Sequence, residues 1–102
     1  MREKCLERKL KNQVEKLGGL CLKFVSPSYA GVPDRICLFP GGKIAFAEVK
    51  APGEKPRPLQ LARIAKFRKL GFRVWVVDSE EEIGKLVSGL TAGVSEGGGD
   101  VP

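Results

Sequence analysis

Histidine is absent from this chain of 102 residues. That excludes Ser-His-Asp and Cys-His catalysis, histidine-ligated zinc and imidazole proton shuttles from whatever the chain does with its own side chains. The three cysteines, Cys5, Cys21 and Cys37, stand sixteen residues apart with no C-x-x-C pair. Such spacing makes no zinc ribbon. An odd number of thiols without a signal peptide fits a reducing cytosol, where they serve as small core hydrophobes. Apolar runs are short: none approaches the roughly 20 residues that cross a bilayer. The opening Met1-Arg2-Glu3-Lys4 is charged rather than apolar. The expectation is a chain neither secreted nor inserted in a membrane, working in the cytoplasm. Acids are scarce in the middle of the chain, where only Asp34, Glu48 and Glu54 occur between Glu15 and Asp78. Any chemistry must therefore draw on carboxylates, lysine, arginine, amides or a hard metal ion.

What is present is basic charge. Residues 1–77 hold 17 Lys/Arg against 6 Asp/Glu, whereas residues 78–102 hold one lysine against 6 acids. A basic body this small suits a polyanion, because each Lys or Arg beside a phosphate releases condensed counterions. The plainer alternative is a solvated basic surface.

Periodicity orders the elements. Leu6, Leu10, Val14 and Leu17 recur at helical spacing over 3–17 and stop at Gly18-Gly19, which predicts an amphipathic helix with a glycine C-terminus. Leu20 to Val25 reads as a strand, ended by a loop over 26–33 rich in proline and serine. Arg35–Phe39 and Lys43–Lys50, joined by Pro40-Gly41-Gly42, read as a hairpin. A second helix runs from about Pro58 to Leu70, with proline in its first turn. Phe72–Val77 is so apolar that it is expected in the middle of a sheet. Asp78 or Ser79 caps a last helix that opens on Glu80, Glu81 and Glu82. Residues 1–88 are expected to form one domain, and 89–102, with five glycines, a disordered tail. The order α-β-β-β-α-β-α implies an α/β domain with a mixed central sheet flanked by helices.

Two of the scarce acids sit oddly. Asp34 stands at the mouth of the second strand, and Glu48 lies inside an otherwise apolar third strand. Alternation puts Ile44, Phe46, Glu48 and Lys50 on one face of that strand. A carboxylate on a buried face needs a partner or a cation, since leaving it unpaired costs several kcal/mol. In an antiparallel hairpin the ends carrying Asp34 and Glu48 lie side by side. Two close carboxylates repel, and a divalent cation between them removes the penalty. Oxygen-only donors point to Mg²⁺ or Mn²⁺ rather than zinc. The plain alternative is an ion pair, Glu48 with Lys50 or Asp34 with Arg35.

These residues also form a known pattern. Gly31-Val32-Pro33-Asp34-Arg35 followed after a short hairpin by Glu48-Val49-Lys50 resembles the P-D and E-x-K signature of the PD-(D/E)XK nuclease superfamily. Lys23-Phe24-Val25-Ser26-Pro27, Pro40-Gly41-Gly42, Ala51-Pro52-Gly53 and Pro56-Arg57-Pro58-Leu59-Gln60 narrow it. Together they resemble the stand-alone VRR-NUC proteins of phages and prophages, over about residues 3–83. The resemblance implies a restriction-endonuclease-like fold and a metal-dependent DNA endonuclease in a bacterial host's cytoplasm, needing no small-molecule cofactor. It implies that Asp34, Glu48 and the Val49 carbonyl hold Mg²⁺ or Mn²⁺, and that Lys50 orients water or steadies charge on the phosphate.

Such folds also take an acid from the first helix. Helical geometry favours Glu3, inside the apolar stripe. The resemblance favours Glu7, eleven residues before Gly18 and a turn away from the fraying end. Glu7 is the expectation and Glu3 the alternative. Gln60 begins the inward ridge Gln60, Ile64, Phe67 and suits a hydrogen bond to a phosphate, a water or Glu48. Lys43, Lys55, Arg57 and Arg63, among a crowd that includes Lys66, Arg68, Lys69 and Arg73, are the candidate phosphate contacts, and Tyr29, at the tip of the loop over 26–33, either shapes substrate entry at the DNA or packs the loop. The substrate implied is branched DNA, four-way junctions above all, cut by a homodimer. Alternatives are flap, nicked or linear DNA, or a non-catalytic basic nucleic-acid-binding module.

Overall fold

The computed structural model describes residues 2–97. It contains α1 (Glu3–Lys16), β1 (Leu20–Lys23), β2 (Arg35–Phe39), β3 (Lys43–Val49), α2 (Pro58–Lys69), β4 (Arg73–Val77) and α3 (Glu80–Gly97). That is the order read from periodicity. Leu6, Leu10 and Val14 form the buried stripe of α1. The helix ends in a Schellman turn: Gly19 N–H donates to the Val14 carbonyl at 2.9 Å and Gly18 N–H to Glu15 at 3.0 Å, with Gly18 at φ 85°. A Cβ on Gly19 would run into the Leu38 carbonyl, so glycine is required there to let α1 turn tightly onto the sheet.

The strands lie in the order β1-β2-β3-β4. β1–β2 and β2–β3 are antiparallel, and α2 carries the chain to a parallel β4. Helices α1 and α3 cover one face, closing a core of Leu6, Leu10, Val14, Cys37, Ala45, Ala47, Val49, Val77, Leu86 and Leu90 among others. On the other face Ile64 and Phe67 of α2 meet Phe46, Val74 and Phe24, with Phe46 and Phe67 edge to face at 4.9 Å. Cys21 and Cys37 are buried and directly opposite each other across β1 and β2, as small core residues. Among the described residues no helix is long and apolar enough to cross a membrane.

Two expectations are corrected. β4 is an edge strand, not a central one. Its apolar sequence answers to α2 on one face and α3 on the other, and two-sided cover leaves the same signature as a mid-sheet position. The folded part also continues past residue 88. α3 runs through Gly89, which lies against the Trp75 ring, and seats Leu90 in the core at 1% exposure. A disordered segment therefore does not begin at residue 89; residues 98–102 of that stretch lie outside the described residues. Ser79 rather than Asp78 supplies the cap, its Oγ accepting the Glu82 N–H at 3.2 Å.

Candidate active site

The β2–β3 register pairs Arg35 with Ala47, which brings Asp34 and Glu48 side by side at the end of the hairpin. The Val49 N–H donates to Asp34 Oδ1 at 3.2 Å, anchoring that carboxylate to β3. Glu48 is 1% exposed. Its Oε2 accepts from Gln60 Nε2 at 2.9 Å and from Lys50 Nζ at 3.3 Å. Its Oε1 is buried and has no hydrogen-bond partner among the described residues. One oxygen is thus held by two donors while the other is left free.

Gln60 can hold Glu48 because its own orientation is set. Its Oε1 accepts the Arg57 N–H at 2.8 Å, one of the donors that the start of α2 leaves free, so its amide nitrogen must face the carboxylate. Pro58 occupies the first turn, where a missing N–H does no harm. The sequence left three partners open for Gln60, and the structure selects Glu48.

The first turns of α1 deliver the remaining acids. Glu3, Glu7 and Asp34 each offer a carboxylate oxygen within 4.8 Å of the others. Both candidates for the helical acid therefore reach Asp34. They differ in company: Glu7 Oε1 accepts from Arg35 Nη2 at 3.1 Å, with Arg35 almost fully buried. Of the two plain ion pairs considered from sequence, Glu48–Lys50 forms, whereas Arg35 turns to Glu7 instead of Asp34. Adjacent strand residues face opposite sides of a sheet, which is the signal that could have assigned Arg35 to α1.

The electrostatics follow from this crowding. Burial, then the charge of Glu48, lifts the Asp34 carboxyl from an ordinary 3.8 to about 7, with Glu7 and Glu3 adding to the rise and the Val49 N–H opposing it. Burial also pushes Glu48 up, against the pull of Lys50. Glu3, Glu7 and Asp34 converge, and Glu48, outside that group of three, acts on Asp34 through its charge and keeps one oxygen unpartnered; such carboxylates are what a hard divalent cation relieves. The donor set is all oxygen, and the residues present fit Mg²⁺ or Mn²⁺.

A cavity of about 440 Å³ opens beside this cluster, lined by Glu3, Lys50, Glu54, Lys55 and Arg57. Lys55 and Arg57, candidate phosphate contacts from the sequence, line this opening. Lys43 stands at the other end of β3, about 17 Å from Glu48 at strand rise. Arg63 and Tyr29 stack on each other, with the guanidinium carbon 3.8 Å from the ring centroid. Arg68 donates to the Val74 carbonyl and Arg73 to that of Gly89, so both serve the fold.

No family model matches the chain. It is 51% identical over 81 residues to "Putative nuclease p44" of Acyrthosiphon pisum secondary endosymbiont phage 1, covering 79% of this chain and 87% of the phage protein. A solved structure described as a VRR_NUC domain superposes with a TM-score of 0.77 at 37% identity, covering 86% of this chain and 97% of that one. The chain belongs to the VRR-NUC family. Its α-β-β-β-α-β-α arrangement is the restriction-endonuclease-like fold of such domains. In this VRR-NUC domain the hairpin supplies Asp34, Glu48 and Lys50, α1 supplies Glu3 and Glu7, and α2 supplies Gln60. What sequence reasoning missed is Arg35 as the partner of Glu7.

Proposed function

We propose that this VRR-NUC protein is a metal-dependent DNA endonuclease that hydrolyses phosphodiester bonds in branched DNA. One observation carries the reading: Glu48 is buried with Oε2 held by Gln60 and Lys50 and with Oε1 unpartnered. A module that only binds nucleic acid gains nothing from a buried carboxylate with a free oxygen, and its acids would repel the backbone. Asp34, Glu48, the Val49 carbonyl and Glu7, with Glu3 alongside, would hold Mg²⁺ or Mn²⁺. The cation, when bound, supplies Lewis-acid polarisation of the phosphate and acidifies water.

The chain's own residues do the rest. Gln60 and the Val49 N–H fix the two hairpin carboxylates, so no reorganisation is needed as charge develops. Lys50 stands at the lip of the cavity, within reach of both Glu48 and an incoming phosphate, and steadies negative charge or orients water there. Lys55 and Arg57 line the same opening and take up neighbouring phosphates, fixing register without reading bases. The protein acts in the cytoplasm of a bacterial host, as a phage or prophage product. It works as a homodimer. On the α2 face, Leu20, Leu38 and Ile44 lie opposite one another across three strands with Phe72 nearby, and Leu20, Ile44 and Phe72 are left partly open, an apolar row that a second copy would cover.

The test is cleavage of a labelled four-way junction beside linear duplex and flap DNA, with Mn²⁺, Mg²⁺ or EDTA, by wild type and Glu48→Ala. Metal-dependent junction cuts that vanish in the variant are expected. Preferential cutting of flap or linear DNA would change the substrate and keep the chemistry. Wild-type protein that binds DNA but cuts nothing with either metal would overturn the reading.

A further inference from the structure

The loop over 26–33 leads straight into Asp34, and the first turns of α2 lie against it. Gly31 has φ +87°, and a Cβ there would come within 2.8 Å of Leu59 Cγ and 3.3 Å of Arg63 Cγ, so the loop backbone rests directly on these two side chains. Arg63 Nε donates to the Ala30 carbonyl at 2.7 Å. The same guanidinium lies over the Tyr29 ring at 3.8 Å. Beyond Gly31 the loop is pinned again by the fully buried Pro33, and the next residue is Asp34.

We infer that Arg63 is a positioning residue, clamping Tyr29, Ala30 and Gly31 onto α2 and so fixing Asp34 relative to Glu48. Its position in a basic helix suggests a phosphate contact, but Nε and one face of its plane are already engaged inside the chain. The start of α2 thereby touches both hairpin carboxylates, Glu48 directly through Gln60 and Asp34 indirectly through the loop. Lysine cannot replace it. An ammonium keeps the charge but has neither the Nε donor in that place nor a plane to stack on Tyr29. The inference rests on the proposed cation site for its functional meaning, while the clamp itself is readable without a cation.

The experiment uses the full chain as wild type, Arg63→Ala, Arg63→Lys and Tyr29→Leu, the last removing only the stack. Three readouts are taken: Mn²⁺ titration calorimetry without DNA, the salt dependence of duplex binding in EDTA, and amide exchange at Val49, whose N–H is donated to Asp34 Oδ1. Arg63→Ala is expected to weaken Mn²⁺ binding about tenfold, as loss of an orienting neighbour does. It should speed exchange at Val49 more than at Lys50, whose N–H bonds Val77. Arg63→Lys is expected to behave like Arg63→Ala, Tyr29→Leu to move the same way by less, and the salt slope to stay at the wild-type value.

A phosphate contact would instead lower the salt slope by about one on loss of Arg63, with lysine restoring it and Mn²⁺ binding untouched. That pattern overturns the inference. So does a variant that merely melts at lower temperature with unchanged Mn²⁺ affinity and Val49 exchange. Should wild type itself bind no Mn²⁺, the cation site fails, and Val49 exchange alone still decides the clamp. If Arg63→Ala does not fold, Arg63→Lys and Tyr29→Leu carry the test.

Discussion

Asp34→Asn should make the metal-free protein more stable while disabling it. Asp34 is lifted from 3.8 to about 7 by burial and by the charge of Glu48. Below about pH 4 the carboxyl is protonated in both folded and unfolded chains, and the substitution changes little. Between about pH 4 and 7 the unfolded chain sheds the proton while the folded one retains it, so wild-type stability falls as pH rises. Above about pH 7 both are ionised and the penalty is constant. At about 1.4 kcal/mol per pH unit the penalty has a ceiling of about 4 kcal/mol. Asp34 is partly open to water, which screens it, and about 2 kcal/mol is the working figure. Asparagine removes the charge and still accepts the Val49 N–H through Oδ1.

For a domain of this size, about 2 kcal/mol corresponds to a rise of about 10 °C in Tm. Thermal melts in EDTA should therefore show the variant above wild type near pH 8 and level with it near pH 4. Saturating Mn²⁺ should reverse the order, because binding at about 100 times Kd stabilises wild type by about 2.7 kcal/mol and the variant by much less. A variant that melts at or below the wild-type temperature near pH 8 in EDTA would refute the reasoning, since Asp34 would then carry no electrostatic penalty.

Lys50→Ala should lower single-turnover cleavage by about a hundredfold or more while duplex binding changes by only a few fold, because its charge acts on the reacting phosphate; equal losses in cleavage and in gel-shift affinity would make Lys50 an ordinary phosphate contact. Gln60→Leu removes one of two donors to Glu48 Oε2 and should push that carboxyl higher still, weakening Mn²⁺ binding about tenfold and moving the cleavage profile to higher pH. An unchanged Mn²⁺ titration would show that Lys50 alone suffices to hold Glu48. Leu90→Ala should destabilise the domain by about 2–4 kcal/mol in chemical denaturation, as for any fully buried leucine. A change below about 1 kcal/mol would mean that α3 does not pack beyond Gly89.

The sequence by itself determined the element order and the pairing of the two central acids. Both are local properties. Helical and strand periods are visible over ten residues, and a hairpin turn of three residues leaves Asp34 little choice but to stand beside Glu48. Scarcity helped too: with histidine absent and so few acids in the middle of the chain, Asp34 and Glu48 could only be special.

The tertiary structure decided what depends on elements far apart in the chain. β4 is apolar because helices from both sides cover it, and periodicity cannot distinguish that from a central strand. Gly89 reads as a helix breaker, yet Trp75 lies against it and Leu90 fills the core beyond it, so burial outweighs propensity. Glu3 and Glu7 both reach Asp34, and of the two it is Glu7 that pairs with Arg35. Arg63 is drawn from the basic face of α2 onto the loop by a carbonyl and a ring 33 and 34 residues earlier in the chain. A side chain's class and spacing fix which face it occupies, but the partner it finds there is chosen by how the helices settle on the sheet, where each buried polar group must be matched or left for a ligand.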